Sequence, residues 1–440
     1  MNSKLLLIQL NEINFELVNK YIKNDKKKKF ENLNYLINFF KKFETFAEEK
    51  YENLEPWIQW TSVYFGENYA NHQIFRLGDT INHTNKKQIF KKIEEKGFKV
   101  GVISSMNSIN DLKNPSYFIP DPWTDTTSDD SEFSKRVTML LKQSVNDNSS
   151  GRLSLSSIMC ICEIIFRTFN FKNTSFLIKL VLSSLINPWK KSLVLDYLIH
   201  NLHLYFLKKK EVNFSSVFFN AGAHIQHHYY FNSKYIENIS KNPNWYIASH
   251  FDPLEDMLEI YDKIIGDYIK LSKKKNIPIL VATGLRQTPY NNIKFYYRLK
   301  NHKNFLKKIG IKFSKILPRM TRDFEIQFIS NKDLIFAKEI MENIISKKNN
   351  IKIFNEIEIR NKSLFVTLTY PIEIKKEDQL IINKNLELNF SKEVLFVAIK
   401  NGKHDTKGYG FYSPNINFEI PKKSIHVSEI NNLILSNFGS

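Results

Sequence analysis

The sequence has few cysteines, glycines and prolines. Its 440 residues include 2 cysteines, 13 glycines and 13 prolines. Cys160 and Cys162 are too close in the chain for an ordinary structural disulfide, and there is no CxxC motif, so we expect a reducing compartment. Hydrophobic residues make up 42% of the chain and aromatic residues 14%. These values exclude general disorder and predict one large globular domain that carries insertions.

The sequence also has no long uninterrupted apolar run. It starts "MNSKLLLIQLNE", whose apolar stretch is too short for a secretory signal and predicts a buried first strand, so we expect a cytoplasmic protein. Residues 151–210 are strongly apolar, but Glu163, Arg167, Lys172 and Lys179 interrupt them and Pro188 breaks them, which excludes a clean span of about 20 residues. We interpret this segment as a helical insertion or cap, either packed on the core or facing a membrane surface or lipid-linked substrate.

Acidic residues are too few to balance the basic ones. The chain has 64 lysines and arginines against 45 aspartates and glutamates, a net charge of +19. This balance favours a polyanionic partner such as a membrane surface or a phosphate-bearing substrate. The alternative is a compositional bias without function, since the charge lies largely in lysine runs. No nucleic-acid-binding motif is present, so we do not expect a nucleic acid as the partner.

Short apolar runs that alternate with helical stretches indicate the fold. The runs are "KLLLIQL", "FKVGVIS", "SSVFF" and "IPILVAT". Strands that are apolar on both faces predict an α/β fold with a mainly parallel central sheet between helices. We expect residues 1–150 and 211–300 to form the α/β core, residues 151–210 the insertion, and residues 301–440 a C-terminal part with a small strand-rich subdomain and a closing histidine motif.

Polar residues follow these runs, and in such sheets ligands bind beyond the carboxyl ends of the strands. In chain order they are Asn11-Glu12, "LEPWIQWTSVYFG" from Leu54, Asn220 with His224, "ATGLRQTPY" from Ala282 and "GKHDTKGYGFYSP" from Gly402. The arrangement resembles the alkaline phosphatase superfamily, in particular its phosphodiesterase and nucleotide-pyrophosphatase-like branch. The resemblance implies an alkaline phosphatase-like sheet with a site for two divalent ions, held by Asp and His ligands beside a Thr or Ser nucleophile.

Several residues depart from what the resemblance implies. Asn11 stands in place of the first Asp, and Asn220 replaces the Asp of an Asp-x-x-x-His motif whose histidine is His224. Near the nucleophile position stand Glu55 and Pro56, while Thr61 and Ser62 lie a helical turn too late. Thr283 and Gly284 occupy the positions of an Asp-His pair, and His404 matches the final His.

These substitutions remove negative charge while keeping polar side chains of similar size. A hard divalent cation would then meet mostly neutral ligands. We therefore assign no metal ligands and no cofactor. The alternative is a weakly bound divalent cation, or zinc held by His224 with His227 or His228 and with Glu12 or Glu55. Otherwise His227 and His228 line a polar loop.

We predict three catalytic residues. Glu55 is the candidate general base, with a plain N-cap role as the alternative. His224 and His404 are expected to converge and to exchange protons or hold a phosphate. The predicted substrate-binding residues are Asn11, Glu12, Trp57, Gln59, Trp60, Asn220, His228, Arg286, Gln287, Arg319 and Arg322. Core packing is the alternative for the two tryptophans, and surface ion pairing for the arginines.

The altered site favours an enzyme that keeps a phosphate-binding cleft but changes the chemistry. We expect a transferase that acts on a nucleotide-activated or phosphate-linked sugar, in surface polysaccharide synthesis as relatives of this type imply. One alternative is a metal-dependent phosphodiesterase or phosphatase, and another is a non-catalytic relative that binds a phosphorylated ligand. The expected partners are a nucleotide-activated or phosphorylated glycan and a lipid-linked acceptor at the inner face of the membrane.

Overall fold

The computed structural model describes residues 3–83, 85–146, 154–237, 240–319, 322–382, 386–416, 421 and 423–439. The predicted boundary between residues 150 and 151 lies outside this range. The described residues form two compact units, one made of residues 1–289 with 402–440 and the other of residues 290–401.

Strands and helices are numbered in chain order. The strands are β1 (Leu5–Leu10), β2 (Lys41–Phe46), β3 (Val100–Ile103), β4 (Tyr117–Ile119), β5 (Phe214–Phe219), β6 (Ile279–Ala282), β7 (Arg286–Leu299), β8 (Lys315–Pro318), β9 (Asp323–Gln327), β10 (Ile345–Ser346), β11 (Glu356–Arg360), β12 (Ser363–Thr367), β13 (Gln379–Ile381), β14 (Glu387–Asn389), β15 (Val394–Asp405), β16 (Lys407–Tyr412) and β17 (Ile425–His426). The helices are α1 (Phe15–Lys23), α2 (Glu31–Phe39), α3 (Pro56–Phe65), α4 (Tyr69–His72), α5 (Ile89–Glu95), α6 (Glu132–Asn146), α7 (Leu155–Arg167), α8 (Phe171–Ile186), α9 (Lys190–Lys209), α10 (Ala221–Tyr229), α11 (Pro253–Lys275), α12 (His302–Lys308), α13 (Asn331–Glu342), α14 (Phe390–Glu393) and α15 (Ile430–Ser436).

An eight-stranded sheet organises the larger unit, in the order β17-β2-β16-β6-β1-β5-β3-β4. Neighbouring strands from β6 to β4 pair in parallel. Strand β16 is antiparallel to both of its neighbours, β6 and β2. The predicted α/β fold with a mainly parallel central sheet is therefore confirmed. Parallel pairing brings the carboxyl ends of β6, β1 and β5 to one edge of the sheet.

Both faces of the sheet are covered by helices, as the run of apolar residues in β1 predicted. Successive side chains of a strand point to opposite faces. Leu6, Ile8 and Leu10 lie in one hydrophobic core, which helices α1, α2 and α6 to α11 help to form. Leu5 and Leu7 lie in a second core with residues of α3, α5 and α15. All six residues of β1 are buried.

Helices α7, α8 and α9 form the predicted helical insertion in the larger unit. In the described part of the chain, no helix is both long and apolar enough to cross a membrane. Buried residues of all three helices, including Ile164, Leu177 and Leu193, belong to the first hydrophobic core.

The smaller unit is rich in strands, in agreement with the small strand-rich part expected in the C-terminal sequence. One antiparallel sheet has the order β11-β12-β9-β8, and another has the order β10-β13-β14. Strands β11 and β12 form a hairpin whose turn contains Asn361 in the left-handed conformation, with a φ of 51°. Asparagine tolerates this conformation better than most residues do. Strands β7 and β15 pair in a two-stranded sheet.

Candidate functional site

Asn11 and Asn220 lie side by side because the strands before them end in register. Leu10 pairs with Phe219 at the ends of β1 and β5. Asn11 Nδ2 donates to Asn220 Oδ1 at 2.9 Å, and Trp60 Nε1 donates to Asn11 Oδ1 at 2.8 Å. An indole N–H can only donate, so Asn11 turns its oxygen towards Trp60 and its amide nitrogen towards Asn220. An amide N–H group therefore stands between the two strand ends, where a metal ion would need an oxygen.

Glu12 follows in a strained, buried conformation. Its φ of 61° lies in the left-handed region, which costs a non-glycine residue about 1 kcal/mol or more. Two backbone hydrogen bonds fix it: Glu12 N donates to Thr283 O at 3.1 Å, and Gln287 N donates to Glu12 O at 3.2 Å. These hydrogen bonds fix the backbone from which the Glu12 side chain extends. That side chain is only 2% exposed.

Two histidines meet this carboxylate. His227 Nε2 and His404 Nε2 each lie 3.2 Å from Glu12 Oε2. The two Nε2 atoms also lie 3.2 Å from each other. The three atoms therefore form a triangle with equal edges, to which α10, β15 and the end of β1 each contribute one side chain. We call Glu12, His227 and His404 the triad.

The triad keeps Glu12 ionised. Burial alone would raise the pKa of this carboxyl. The attraction of His404 and His227 and their hydrogen bonds outweigh burial and hold the pKa of Glu12 well below its usual range. Glu12 therefore contributes one full negative charge to a buried place.

Helix α10 presents His227, and a buried aspartate fixes the start of that helix. Asp196, in α9, accepts hydrogen bonds from the backbone N–H groups of Asn220 and Ala221 at 3.2 and 2.8 Å, and from the Tyr261 hydroxyl at 2.8 Å. Burial raises the pKa of Asp196 to about 7, although these donors favour its ionised form. Through Asp196, helix α9 of the insertion therefore contacts the first residues of α10.

The histidine that meets His404 is His227 and not His224, one helical turn earlier. The ring of His224 instead lies edge-on to His228, with centroids 4.8 Å apart. Burial, with the nearby charge of His227, lowers the pKa of His224 to about 4, so His224 is neutral at pH 7. From the sequence, His227 was predicted only as an alternative zinc ligand. Its spacing of three residues from His224 on a helix was the available signal.

Glu55 approaches His404 from the other side. Glu55 Oε2 lies 3.7 Å from His404 Nδ1, while His404 Nε2 faces Glu12. Glu55 occupies the N-cap position of α3, but its side chain makes no capping hydrogen bond. The carboxylate is 34% exposed and is available to solvent. Glu55, His404, Glu12 and His227 thus form a continuous chain of alternating carboxylates and imidazoles.

Two glutamines support the triad. Gln287 Nε2 donates to Glu12 Oε2 at 2.5 Å and to Ala223 O at 3.0 Å. Gln226 Nε2 donates to Glu12 O at 2.9 Å. Gln287 was predicted to bind substrate, whereas Gln226 was not identified from the sequence. Gln287 therefore orients the Glu12 carboxylate, and Gln226 holds the Glu12 backbone, within one buried hydrogen-bond network.

Arg286 is committed to partners within the chain. Its guanidinium lies 2.7 Å from Glu16 Oε1 and donates to Asp405 Oδ1 at 3.0 Å and to the Tyr409 hydroxyl at 2.8 Å. A phosphate at Arg286 would have to compete with two carboxylates. These contacts match the ion-pairing alternative, and its predicted role in binding substrate stays a prediction.

The aromatic segment before the site is largely structural. Trp60 is fully buried in the second core. Trp57 Nε1 donates to Phe75 O at 3.0 Å, and the buried Gln59 donates to Asn53 O at 2.7 Å. Of these residues, Trp60 contacts the strand-end residues directly, through Asn11.

Arg319 and Arg322 belong to the smaller unit and have partners there. Arg319 pairs with Glu325 at 2.6 Å. Arg322 donates to Leu368 O at 3.2 Å, and its guanidinium lies 4.2 Å from the centre of the Tyr296 ring. The predicted substrate-binding roles of both arginines stay predictions.

The side chains fit one divalent cation and do not fit two. Among the described residues, Glu12, His227 and His404 are the group whose ligand atoms converge. Ligand atoms about 2.1 Å from one ion are about 3 to 3.4 Å apart in tetrahedral or octahedral coordination, and the triad has edges of 3.2 Å. At the remaining positions, Asn11 presents an N–H, Thr283 Oγ1 accepts from Tyr409 N, and Gly284 has no side chain.

No protein-family model and no curated protein matches the sequence. Solved structures do show similarity along nearly the whole chain. An inactive variant of murine ectonucleotide pyrophosphatase/phosphodiesterase 5 in complex with AMP has 10% identity, covers 99% of this chain and 95% of its own, and gives a TM-score of 0.42. Phosphonoacetate hydrolase from Sinorhizobium meliloti 1021 in complex with phosphonoacetate has 9% identity, coverages of 100% and 96%, and a TM-score of 0.43.

A third similar structure, a TAB5 alkaline phosphatase mutant with bound Mg, has 9% identity, coverages of 99% and 97%, and a TM-score of 0.42. At these values the chemistry of the site has to be derived from this chain's own residues.

Proposed function

We propose that this chain is a phosphoesterase that holds a single divalent cation on the triad of Glu12, His227 and His404. The observation that carries the proposal is the triangle of ligand atoms with edges of 3.2 Å. One carboxylate and two imidazoles are a ligand set that suits zinc and related ions, and it leaves coordination positions open for substrate.

The charge of the site supports an anionic substrate. A divalent cation together with Glu12, His227 and His404 would carry a net charge of +1, which the Glu55 carboxylate beyond His404 would partly offset. The net charge of +19 on the whole chain also attracts anions. A phosphate ester combines a negative charge with an oxygen ligand and therefore suits such a site.

A cation bound there would polarise a phosphoryl oxygen and lower the pKa of a coordinated water. The chain's own residues hold the geometry. Glu12 is fixed by Gln287 and by its backbone hydrogen bonds, and His404 is oriented by Glu12 on one ring nitrogen and Glu55 on the other.

Glu55 is the residue placed to move a proton. Its carboxylate is solvent-accessible and makes no capping hydrogen bond to α3. It contacts His404, one of the three triad residues. In hydrolysis the water oxygen bonds to phosphorus, and Glu55 takes the proton that the water loses. The bond between phosphorus and the ester oxygen breaks, and the alcohol leaves as its anion and is protonated by solvent. No hydroxyl nucleophile is required in this reaction.

The transferase role predicted from the sequence, including a nucleotide-activated sugar donor and polysaccharide synthesis, stays a prediction. No contact among the described residues favours a sugar acceptor over water. Hydrolysis needs fewer components than transfer, so we propose hydrolysis.

The experiment is a restoration assay. Protein stripped with a chelator is assayed on bis(p-nitrophenyl) phosphate and p-nitrophenyl phosphate, and then given one equivalent of Zn²⁺ or Mn²⁺. We expect activity to be lost on stripping and restored by one equivalent. Glu12→Gln and His404→Ala should not be restored, because each removes a ligand.

His224→Gln is the matched control, because it changes a histidine of the same helix that lies outside the triad. It should keep restorable activity. Full activity in the stripped wild type, or equal restoration of Glu12→Gln, would contradict the proposal.

A further inference from the structure

Helix α7 turns an apolar stripe to solvent. Leu155, Ile158, Met159 and Phe166 are exposed, with Phe166 at 83%. At 3.6 residues per turn these positions share one face of the helix. The buried residues Ser157, Cys160 and Ile164 lie on the opposite face. A surface helix of a soluble domain normally presents polar residues to water on that outer side.

Helix α8 repeats the pattern. Its exposed apolar residues again share one face: Phe171, Ile178, Leu182, Leu185 and Ile186. Leu177, Leu180 and Ser184 are buried on the other side. Phe169, in the turn between the two helices, is also 65% exposed. The turn between the two stripes therefore also exposes an aromatic side chain.

The charges around the stripes are almost all positive. From residue 155 to 191 there are five basic residues, Arg167, Lys172, Lys179, Lys190 and Lys191, and one acidic residue, Glu163. Glu163 is paired with Arg136 and Arg167, and Lys190 is paired with Asp256 of α11. Lys172 and Lys179 are exposed, and their helical spacing places both along one flank of the α8 stripe.

We propose that α7 and α8 lie on the surface of an anionic lipid bilayer, with the two apolar stripes in the acyl boundary and the flanking lysines at the headgroups. Apolar faces with basic flanks are the pattern of helices that bind in the plane of the interface. The charge decides against a second copy of the chain, because self-association would bring the same lysines together. This inference is independent of the proposed phosphoesterase activity.

The experiment is vesicle co-sedimentation of the full chain. Vesicles of phosphatidylcholine with 30% phosphatidylserine are compared with pure phosphatidylcholine at low and high salt. We expect binding to the anionic vesicles that weakens with salt. Phe166→Ser/Phe171→Ser/Leu182→Ser should lower the affinity at least about tenfold, and Lys172→Glu/Lys179→Glu should remove the preference for phosphatidylserine.

Ile329→Ser/Ile335→Ser/Phe336→Ser is the matched control, since it changes three exposed apolar residues of the smaller unit. It should bind vesicles as the wild type does. Thermal unfolding confirms that each variant is folded. The proposal is overturned if the wild type does not bind anionic vesicles, if control and stripe variants lose binding equally, or if the stripe variant only converts a dimer to a monomer in analytical ultracentrifugation.

Discussion

Asn11 Nδ2 donates a hydrogen bond to Asn220 Oδ1 across the ends of two parallel strands, at 2.9 Å. Trp60 fixes the direction of this bond by donating to the other end of the Asn11 amide. The contact explains how the strand ends remain stable without the carboxylates that the superfamily resemblance implies at these positions. Two amides satisfy each other directly, whereas two carboxylates at this distance would repel and would need a cation between them.

Asn11→Asp should therefore destabilise the protein. The new carboxylate would lie beside the buried Glu12, whose Oε1 is 3.1 Å from Asn11 Nδ2, and beside the Asn220 oxygen. We expect a loss of about 1 to 3 kcal/mol in the free energy of unfolding. Urea denaturation measures this value, and added Zn²⁺ should recover part of it. Unchanged stability without a cation would contradict the role assigned to the amide pair.

Glu55→Gln should separate proton transfer from cation binding. Glu55 contacts His404 but is not a member of the triad, so Glu55→Gln keeps all three ligands and should weaken cation binding far less than Glu12→Gln does. We expect kcat to fall about 10² to 10⁴ fold, the usual contribution of a general base. Glu52→Gln, an exposed glutamate three residues earlier, is the control and should keep kcat. Equal kcat values for the wild type and Glu55→Gln would remove Glu55 from the mechanism.

Gly402→Ala should disturb the triad through its support. A Cβ at Gly402 would overlap with Gln287 Oε1 and with the backbone oxygen of Gln226. The substitution should displace the amide that holds Glu12, and overpacking of this kind costs about 1 to 3 kcal/mol. Thermal unfolding and cation titration should both show the effect. A normal cation affinity in this variant would mean that Gln287 does not position Glu12.

Asp196 should make stability depend on pH. Its pKa is raised in the folded protein to about 7, from an ordinary value near 4 in the unfolded chain. The folded state therefore prefers the protonated form, and the stabilisation present below about pH 4 is lost as pH rises towards 7. The loss attributable to this residue is at most about 4 kcal/mol, at 1.36 kcal/mol for each pKa unit.

Urea denaturation between pH 4 and 8 checks this prediction, with Asp196→Asn as the comparison. The variant should be less stable at low pH, because an amide cannot accept from all three donors, and its stability should vary less with pH. Parallel pH profiles for the two proteins would show that Asp196 does not titrate in this range.

The fold could be predicted because apolar runs such as "KLLLIQL" and "SSVFF" are buried on both faces, and such runs form parallel strands between helices. The same reasoning directed attention to Asn11, Glu12 and Asn220, since the residues after parallel strands share one edge of the sheet. The smaller strand-rich part was visible from stretches rich in strand-forming residues, such as "LFVTLTYPIEI", which overlaps β12.

The choice between His224 and His227 could not be made from the sequence. Both lie on the inner side of a short helix, and which of them meets His404 depends on how the helix is rotated. Asp196 of α9 and Tyr261 of α11 set that rotation, and both residues are far from α10 in the sequence. The positive φ of Glu12 was also invisible in the sequence, because it results from hydrogen bonds to Thr283 and Gln287.

Calorimetric titration of chelator-stripped protein with Zn²⁺ tests the central claim most directly. The triad predicts a stoichiometry of one ion per chain for the wild type and for His224→Gln, with binding abolished in Glu12→Gln. Two ions per chain, or no binding by the wild type, would contradict a single-cation site on Glu12, His227 and His404.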